Sequence, residues 1–142
     1  MKRFAIPVAA LLLAVPEEAP AAGWIAMLDH GDARLPPAYS AMLDHIVQWS
    51  QVSGIRCFRV DGHTDRSGST FYNHRLALRR ARTVKAALVA RGLPASAIEV
   101  RALGESRPLV ETADGVPHGQ NRRVEVYPDE SCRPAPQDSP PG

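Results

Sequence analysis

A chain of 142 residues is long enough for one ordinary domain with a single hydrophobic core and too short for two. Its 17 basic and 15 acidic residues leave a formal net charge of +2, which gives no electrostatic case for nucleic acid, whose binding needs a strongly basic face. The two cysteines do not resemble a metal site.

The first 22 residues read as an export signal rather than as fold. Met1-Lys2-Arg3 is a basic start, residues 4–15 are a short apolar run, and Ala19-Pro20-Ala21-Ala22-Gly23 offers small residues for cleavage near Ala22 or Gly23. Spanning a bilayer takes about 18 apolar residues or more. Here Pro16-Glu17-Glu18 interrupts the run, so no membrane span is expected in the mature chain. No cysteine stands near the cleavage site to carry a lipid. In an exported chain, Cys57 and Cys132 are disulfide candidates.

Trp24-Ile25-Ala26-Met27-Leu28 predicts a brief strand ending in the turn Asp29-His30-Gly31-Asp32. Pro36 and Pro37 suit a helix start, and Tyr39, Met42, Leu43, Ile46 and Val47 repeat at helical spacing as far as about Ser50. A strand over 55–61 is expected to turn Phe58, Val60 and the stem of Arg56 toward the core, with Ile55, Cys57 and Arg59 facing away. The polar loop 62–68 leads into a long helix over about 70–91, which Gly92 and Pro94 stop. Strands follow over 98–103 and 122–127, and the tail 128–142 is rich in proline and expected to be extended or disordered. This order predicts a small α/β sandwich, β-α-β-α-β-β, with a mixed sheet and its helices packed on one face.

The long helix separates its arginines. At about 100° per residue, Ala77, Ala81, Val84 and Leu88 form the buried stripe, while Arg75, Arg79 and Arg82 point to the opposite side and read as a solvated face. Arg80 falls on the shoulder of the apolar stripe, between Leu76 and Val84. A charge there needs an anionic partner or a set of acceptors. Asp65, in the loop Gly62-His63-Thr64-Asp65-Arg66-Ser67-Gly68, is the candidate within the protein, and a ligand carboxylate is the other.

Asp65, Gly68, Tyr72-Asn73, Leu76, Arg80-Ala81, Gly104-Glu105, Pro108 and Asn121-Arg122-Arg123 occur in an order and spacing that resemble the OmpA-like peptidoglycan-binding domains. Those domains occur at the C-termini of outer-membrane barrels, in peptidoglycan-associated lipoproteins and in flagellar stator proteins. The resemblance covers residues 24–127 and assigns the domain to 23–127. It departs from the usual pattern at Ala77, where a serine is common, and at Ala102, where a glycine is.

The resemblance implies a module that grips the cell wall without chemistry or cofactor, and it places the protein in the periplasm of a Gram-negative bacterium, associated with the outer membrane through a partner. Asp65 and Arg80 match the pair that holds the amino and carboxylate groups of diaminopimelate in the stem peptide. A zwitterionic amino-acid end calls for one acidic group and one forked basic group, so that each end receives a charge-assisted hydrogen bond. Thr64, Asn73 and Arg123 are candidate secondary contacts; turn and helix-start hydrogen bonding for the first two, and strand pairing around Glu125 for Arg123, are their structural alternatives. Tyr72 reads as core. Asp61, His63 and Asp65 alternate as metal ligands might be spaced, yet His63 has no second His or Cys at ligand spacing, and no metal is expected. His30, His45, His74 and His118 read as surface positions.

If the final strand lies antiparallel beside the strand that contains Cys57, as the resemblance implies, Cys132 returns within reach of Cys57. Two rival functions remain: an adaptor binding an envelope protein, and a wall-modifying enzyme. Against the enzyme stand the lack of an HExxH motif and of a Ser/His or Cys/His pair in an identifiable site.

Overall fold

The computed structural model of the protein describes residues 18–132. The segment read as an export signal lies outside the described residues up to position 17, and so does the proline-rich tail from position 133. Six regular elements follow in order: β1 (Trp24–Met27), α1 (Ser40–Ser53), β2 (Phe58–His63), α2 (Thr70–Ala90), β3 (Ile98–Gly104) and β4 (Arg123–Pro128). The sheet runs β1-β4-β2-β3. Its β1/β4 and β4/β2 pairs are antiparallel and its β2/β3 pair is parallel.

Each helix begins and ends for a local reason. A 3-10 turn over Pro37–Tyr39 precedes α1, and Gly54 closes α1 in the left-handed conformation at φ 77°, its N–H donating to the Ser50 carbonyl. At the start of α2 the Ser69 hydroxyl accepts from the Tyr72 N–H at 3.1 Å, satisfying one of the orphan donors of the first turn. The buried side of α2 carries Leu76, Ala77, Ala81, Val84 and Leu88.

The core lies between the helices and one face of the sheet, where Leu43, Ile46, Val60, Val84, Leu88, Val124 and Val126 pack together. An aromatic trio ties β1, α1 and β2 at one end: Trp24 stands 5.4 Å from Trp49 and 6.4 Å from Phe58 between ring centroids. At the other end β2 comes very close to α2. A Cβ on Gly62 would stand 2.0 Å from the Ala77 carbonyl oxygen, so only glycine lets strand and helix approach this far.

Two expectations around β2 do not hold. Ile55 is buried in the core and Arg56 is exposed, the reverse of the alternation extrapolated back from Phe58. The reason is that the strand starts only at Phe58; residues 54–57 are irregular backbone, where the period of two has no force. Tyr72, expected in the core, is 46% exposed, because it lies five residues before Ala77 and so about 140° around the helix from the buried stripe.

Candidate functional site

Loop 64–69 leaves β2 over the N-terminus of α2, and three other parts of the chain converge on it. Asn121 pairs in both directions with Val110, donating to its carbonyl at 2.8 Å and accepting from its N–H at 2.9 Å. The excursion between β3 and β4 is thereby pinned. Arg66 clasps that excursion from below, donating to the Thr112 carbonyl at 2.9 Å and pairing with Asp114 and Glu105. The turn after β1 comes in from the other side, carrying Asp29 to Asp32.

Where these segments meet, a cavity of about 100 Å³ is lined by His30, Gly31, Asp65, Ser67, Gly68, Tyr72, Asn73, Leu76, Arg80 and Arg122.

Arg80 is fully buried, and its guanidinium is held by main-chain carbonyls. It donates from Nε to Asp32 at 2.9 Å, from one terminal nitrogen to His63 at 3.1 Å and from the other to Asp29 at 2.9 Å. Three of its five N–H donors are thus spent on the scaffold, leaving two. Burial lowers its pKa to about 10 while Asp65 acts in the opposite direction, so the group stays charged at neutral pH.

Asp65 is 3% exposed and does not hydrogen-bond Arg80. Its Oδ1 accepts from the Ser67 N–H at 3.1 Å and from the Ser67 hydroxyl; its Oδ2 accepts from the His118 N–H at 3.2 Å and from Arg122 at 3.1 Å. Burial pushes this carboxyl up, but the Ser67, Arg122 and His118 donors outweigh burial and hold it below the usual carboxylate range. One carboxylate therefore shares the cavity with two guanidiniums.

Of the other predicted residues, Asn73 lines the cavity and donates to the Asp65 carbonyl at 3.2 Å, fixing the loop. Thr64 is buried but is not among the lining residues, and its N–H donates to the Gly104 carbonyl at 2.9 Å. Arg123 is the correction: it lies on the opposite face of the sheet, donating to Glu125 at 2.7 Å and to the Arg107 carbonyl at 3.0 Å. Arg122 takes the place expected of Arg123. The signal was available in the sequence, since Val124 and Val126 face the helices and alternation carries even-numbered residues to that side.

The same parity sends Asp61, His63 and Glu125 to the outer face, where their ligand atoms lie within 4.8 Å of one another. Asp65, the third member of the alternating set in the sequence, is in the cavity instead. A cation among Asp61, His63 and Glu125 would face three arginines. Asp61 accepts from Arg101 at 2.8 and 2.9 Å and from Arg59 at 3.1 Å, while Glu125 accepts from Arg123 and, at 2.9 Å, from Tyr127. With three guanidiniums on two carboxylates, the cluster reads as an ion-pair lattice that leaves no negative charge for a cation.

His63 is the sensitive member. It is 1% exposed, and burial together with Arg123 lowers its pKa from the ordinary 6.5 to about 4, although Glu125 lies 3.4 Å away. In the unfolded chain it takes up a proton near 6.5, so between these values the unfolded state binds more protons than the folded one. Stability is then whole above pH 6.5 and falls as the pH drops toward 4, by up to about 3 kcal/mol. Denaturant titrations at pH 7 and pH 4.5 should show this loss, and His63→Gln should flatten it; a slope unchanged by the substitution would place the sensitivity elsewhere.

The chain belongs to the OmpA family, whose pattern it matches over residues 27–122, a span that holds the strand-to-helix loop, the buried helix arginine and Asn121-Arg122. The outer-membrane lipoprotein YfiB of Pseudomonas aeruginosa is 38% identical over 93 residues, covering 66% of this chain and 55% of that protein. Outer membrane protein A of Bordetella avium is 31% identical over 98 residues, covering 69% of this chain and 50% of its own. The chain thus spans about half the length of these relatives. Among solved structures, the peptidoglycan-associated lipoprotein of Burkholderia pseudomallei superposes with a TM-score of 0.68 at 27% identity, over 74% of this chain and 89% of that one. The cell wall anchor of the type VI secretion system of Pseudomonas aeruginosa, at TM-score 0.57 and 22% identity over 70% of this chain and 72% of that one, shares the fold.

Proposed function

We propose that this protein binds cell-wall peptidoglycan without covalent chemistry and tethers an envelope component to the wall, seating the amino-acid end of a stem-peptide diaminopimelate between Asp65 and Arg80. The observation that carries the reading is that a carboxylate and a buried guanidinium line one small cavity without bonding to each other. Arg80 keeps two N–H donors for a ligand carboxylate, and Arg122 adds positive charge beside it.

The four acceptor positions of Asp65 are filled in the free protein. The Ser67 hydroxyl is the donor best able to yield, because it can rotate away while the Ser67 and His118 N–H groups are fixed in the backbone. A ligand ammonium then takes its place on Oδ1. Relatives named as a peptidoglycan-associated lipoprotein and a cell wall anchor support a holding role in the envelope rather than a catalytic one. Among the described residues no helix is long and apolar enough to cross a membrane. We place the protein on the periplasmic side of the outer membrane of a Gram-negative cell.

The test is co-sedimentation with purified sacculi. The protein should pellet with them, free diaminopimelate should compete, and Asp65→Asn should weaken binding about ten- to a hundredfold, as expected for loss of one charge-assisted contact of roughly 1.5–3 kcal/mol. Binding that ignores both the competitor and the substitution would overturn the assignment to this cavity, and failure to pellet at all would favour the adaptor reading, in which a protein partner is the ligand.

A further inference from the structure

The first turns of α2 carry a second feature beside the cavity. Phe71 is 71% exposed and Tyr72 46%, and together with Arg75 and Arg79 they line a shallow groove of about 280 Å³. Tyr72 borders both this groove and the Asp65/Arg80 cavity, so the two are continuous across one side chain. The guanidinium of Arg75 lies over the Phe71 ring at 5.7 Å.

The charge on this face is uncompensated. From Thr70 to Ala90 the helix contains Arg75, Arg79, Arg80, Arg82 and Lys85 and no acidic residue. Arg75 and Arg79 stand at i,i+4 spacing, where like charges repel on a helix surface. Among the described residues neither has a carboxylate within ion-pair distance. A helix face of this kind costs stability in the free protein and is relieved by an anionic occupant.

We propose that the shelf of Phe71, Tyr72, Arg75 and Arg79 is a second subsite, which takes a further carboxylate of the same peptide whose amino-acid end fills the cavity; this rests on the reading of the cavity given above. In a γ-glutamyl-linked stem peptide the glutamate next to diaminopimelate keeps its α-carboxylate free. The cavity and the shelf share the Tyr72 side chain as a border, so neighbouring groups of one peptide meet both. The Phe71 and Tyr72 rings supply the apolar floor along which the peptide backbone lies, and Arg75 and Arg79 meet its charge. The cavity then recognises the amino-acid head, and the shelf reads whether its neighbour is an acid.

Calorimetric titration of the protein with three probes tests this: free meso-diaminopimelate, the tetrapeptide L-Ala-γ-D-Glu-meso-diaminopimelate-D-Ala, and the same peptide with the glutamate α-carboxylate amidated. The double variant Arg75→Gln/Arg79→Gln should bind the acid tetrapeptide about five- to twentyfold more weakly, on the scale of two partly exposed ion pairs, and should bind diaminopimelate as the parent does. The amidated peptide should be indifferent to the substitutions. Equal losses for all three probes, or none for any, would overturn the shelf. Failure of the parent protein to bind diaminopimelate at all would overturn the cavity reading and the shelf with it. If the double variant instead loses only adhesion to phosphatidylglycerol vesicles while its peptide affinity stands, the occupant is a lipid surface and the proposal is wrong.

Discussion

Arg80→Ala is expected to abolish co-sedimentation with sacculi, at least a hundredfold, and to lower unfolding free energy by roughly 3 kcal/mol or more. Both effects come from one side chain. The guanidinium ties the Asp29, Asp32 and His63 carbonyls to α2; without it the Asp29 carbonyl keeps the Asp32 N–H at 3.1 Å, while the Asp32 and His63 carbonyls lose this donor. Each such loss costs about 1–3 kcal/mol. The turn after β1 then loses its tie to the helix, and His30 and Gly31, which form a wall of the cavity, are free to move. Arg80→Lys should recover part of the stability and little of the binding, since a point charge cannot serve three divergent carbonyls and a ligand carboxylate together. Denaturant melts would be read alongside the pelleting assay at a temperature where the variant is folded. Parent-like wall binding by folded Arg80→Ala protein would refute the assignment of this cavity to peptidoglycan.

The second large effect is expected at Cys57. This residue is disulfide-bonded, and no cysteine among the described residues is free. Cys132 is the only other cysteine in the chain. The Asp129 N–H donates to the Cys57 carbonyl at 2.8 Å, and a 3-10 turn over Glu130–Cys132 follows directly. The antiparallel pairing of Phe58 with Pro128 is what brings this turn back to the start of β2. A bond from Cys57 to Cys132 would close β2, α2, β3 and β4 into one loop, worth roughly 4 kcal/mol in the chain-entropy model. Cys57→Ser/Cys132→Ser should therefore melt on the order of 10–20 °C below the parent. Denatured, unreduced protein should show no free thiol as a monomer; two free thiols per chain would rule the pairing out.

Much of the fold was legible because its signals are local. Helical spacing marked Ala77, Ala81, Val84 and Leu88 as a buried stripe, and all four are fully buried in the structure. The same angular reading put Arg80 on the shoulder of that stripe and Arg75, Arg79 and Arg82 in solvent. Alternation worked inside β2 and failed at Ile55, which lies before that strand begins. At β4 the parity of Val124 and Val126 extends to Arg122, although the strand itself starts only at Arg123, after a 3-10 turn.

Sequence alone determined the elements, the side of α2 on which Arg80 sits, and the loop that carries Asp65, because each follows from the period of its own segment or from a motif within it. The partners were decided by tertiary structure. Asp65 is met by Arg122 and the His118 N–H, and Arg80 by carbonyls on the turn after β1, from positions 57, 53, 51 and 48 residues away in the chain. No local period reports such pairs. They exist because β4 inserts between β1 and β2, which brings the Asn121-Arg122-Arg123 turn and the Asp29 to Asp32 turn to the same end of the sheet as the loop after β2. Once there, a buried charge must find acceptors and a buried carboxylate must find donors; those of Arg80 are backbone carbonyls and half of those of Asp65 are backbone N–H groups, which carry no side-chain signature in the sequence.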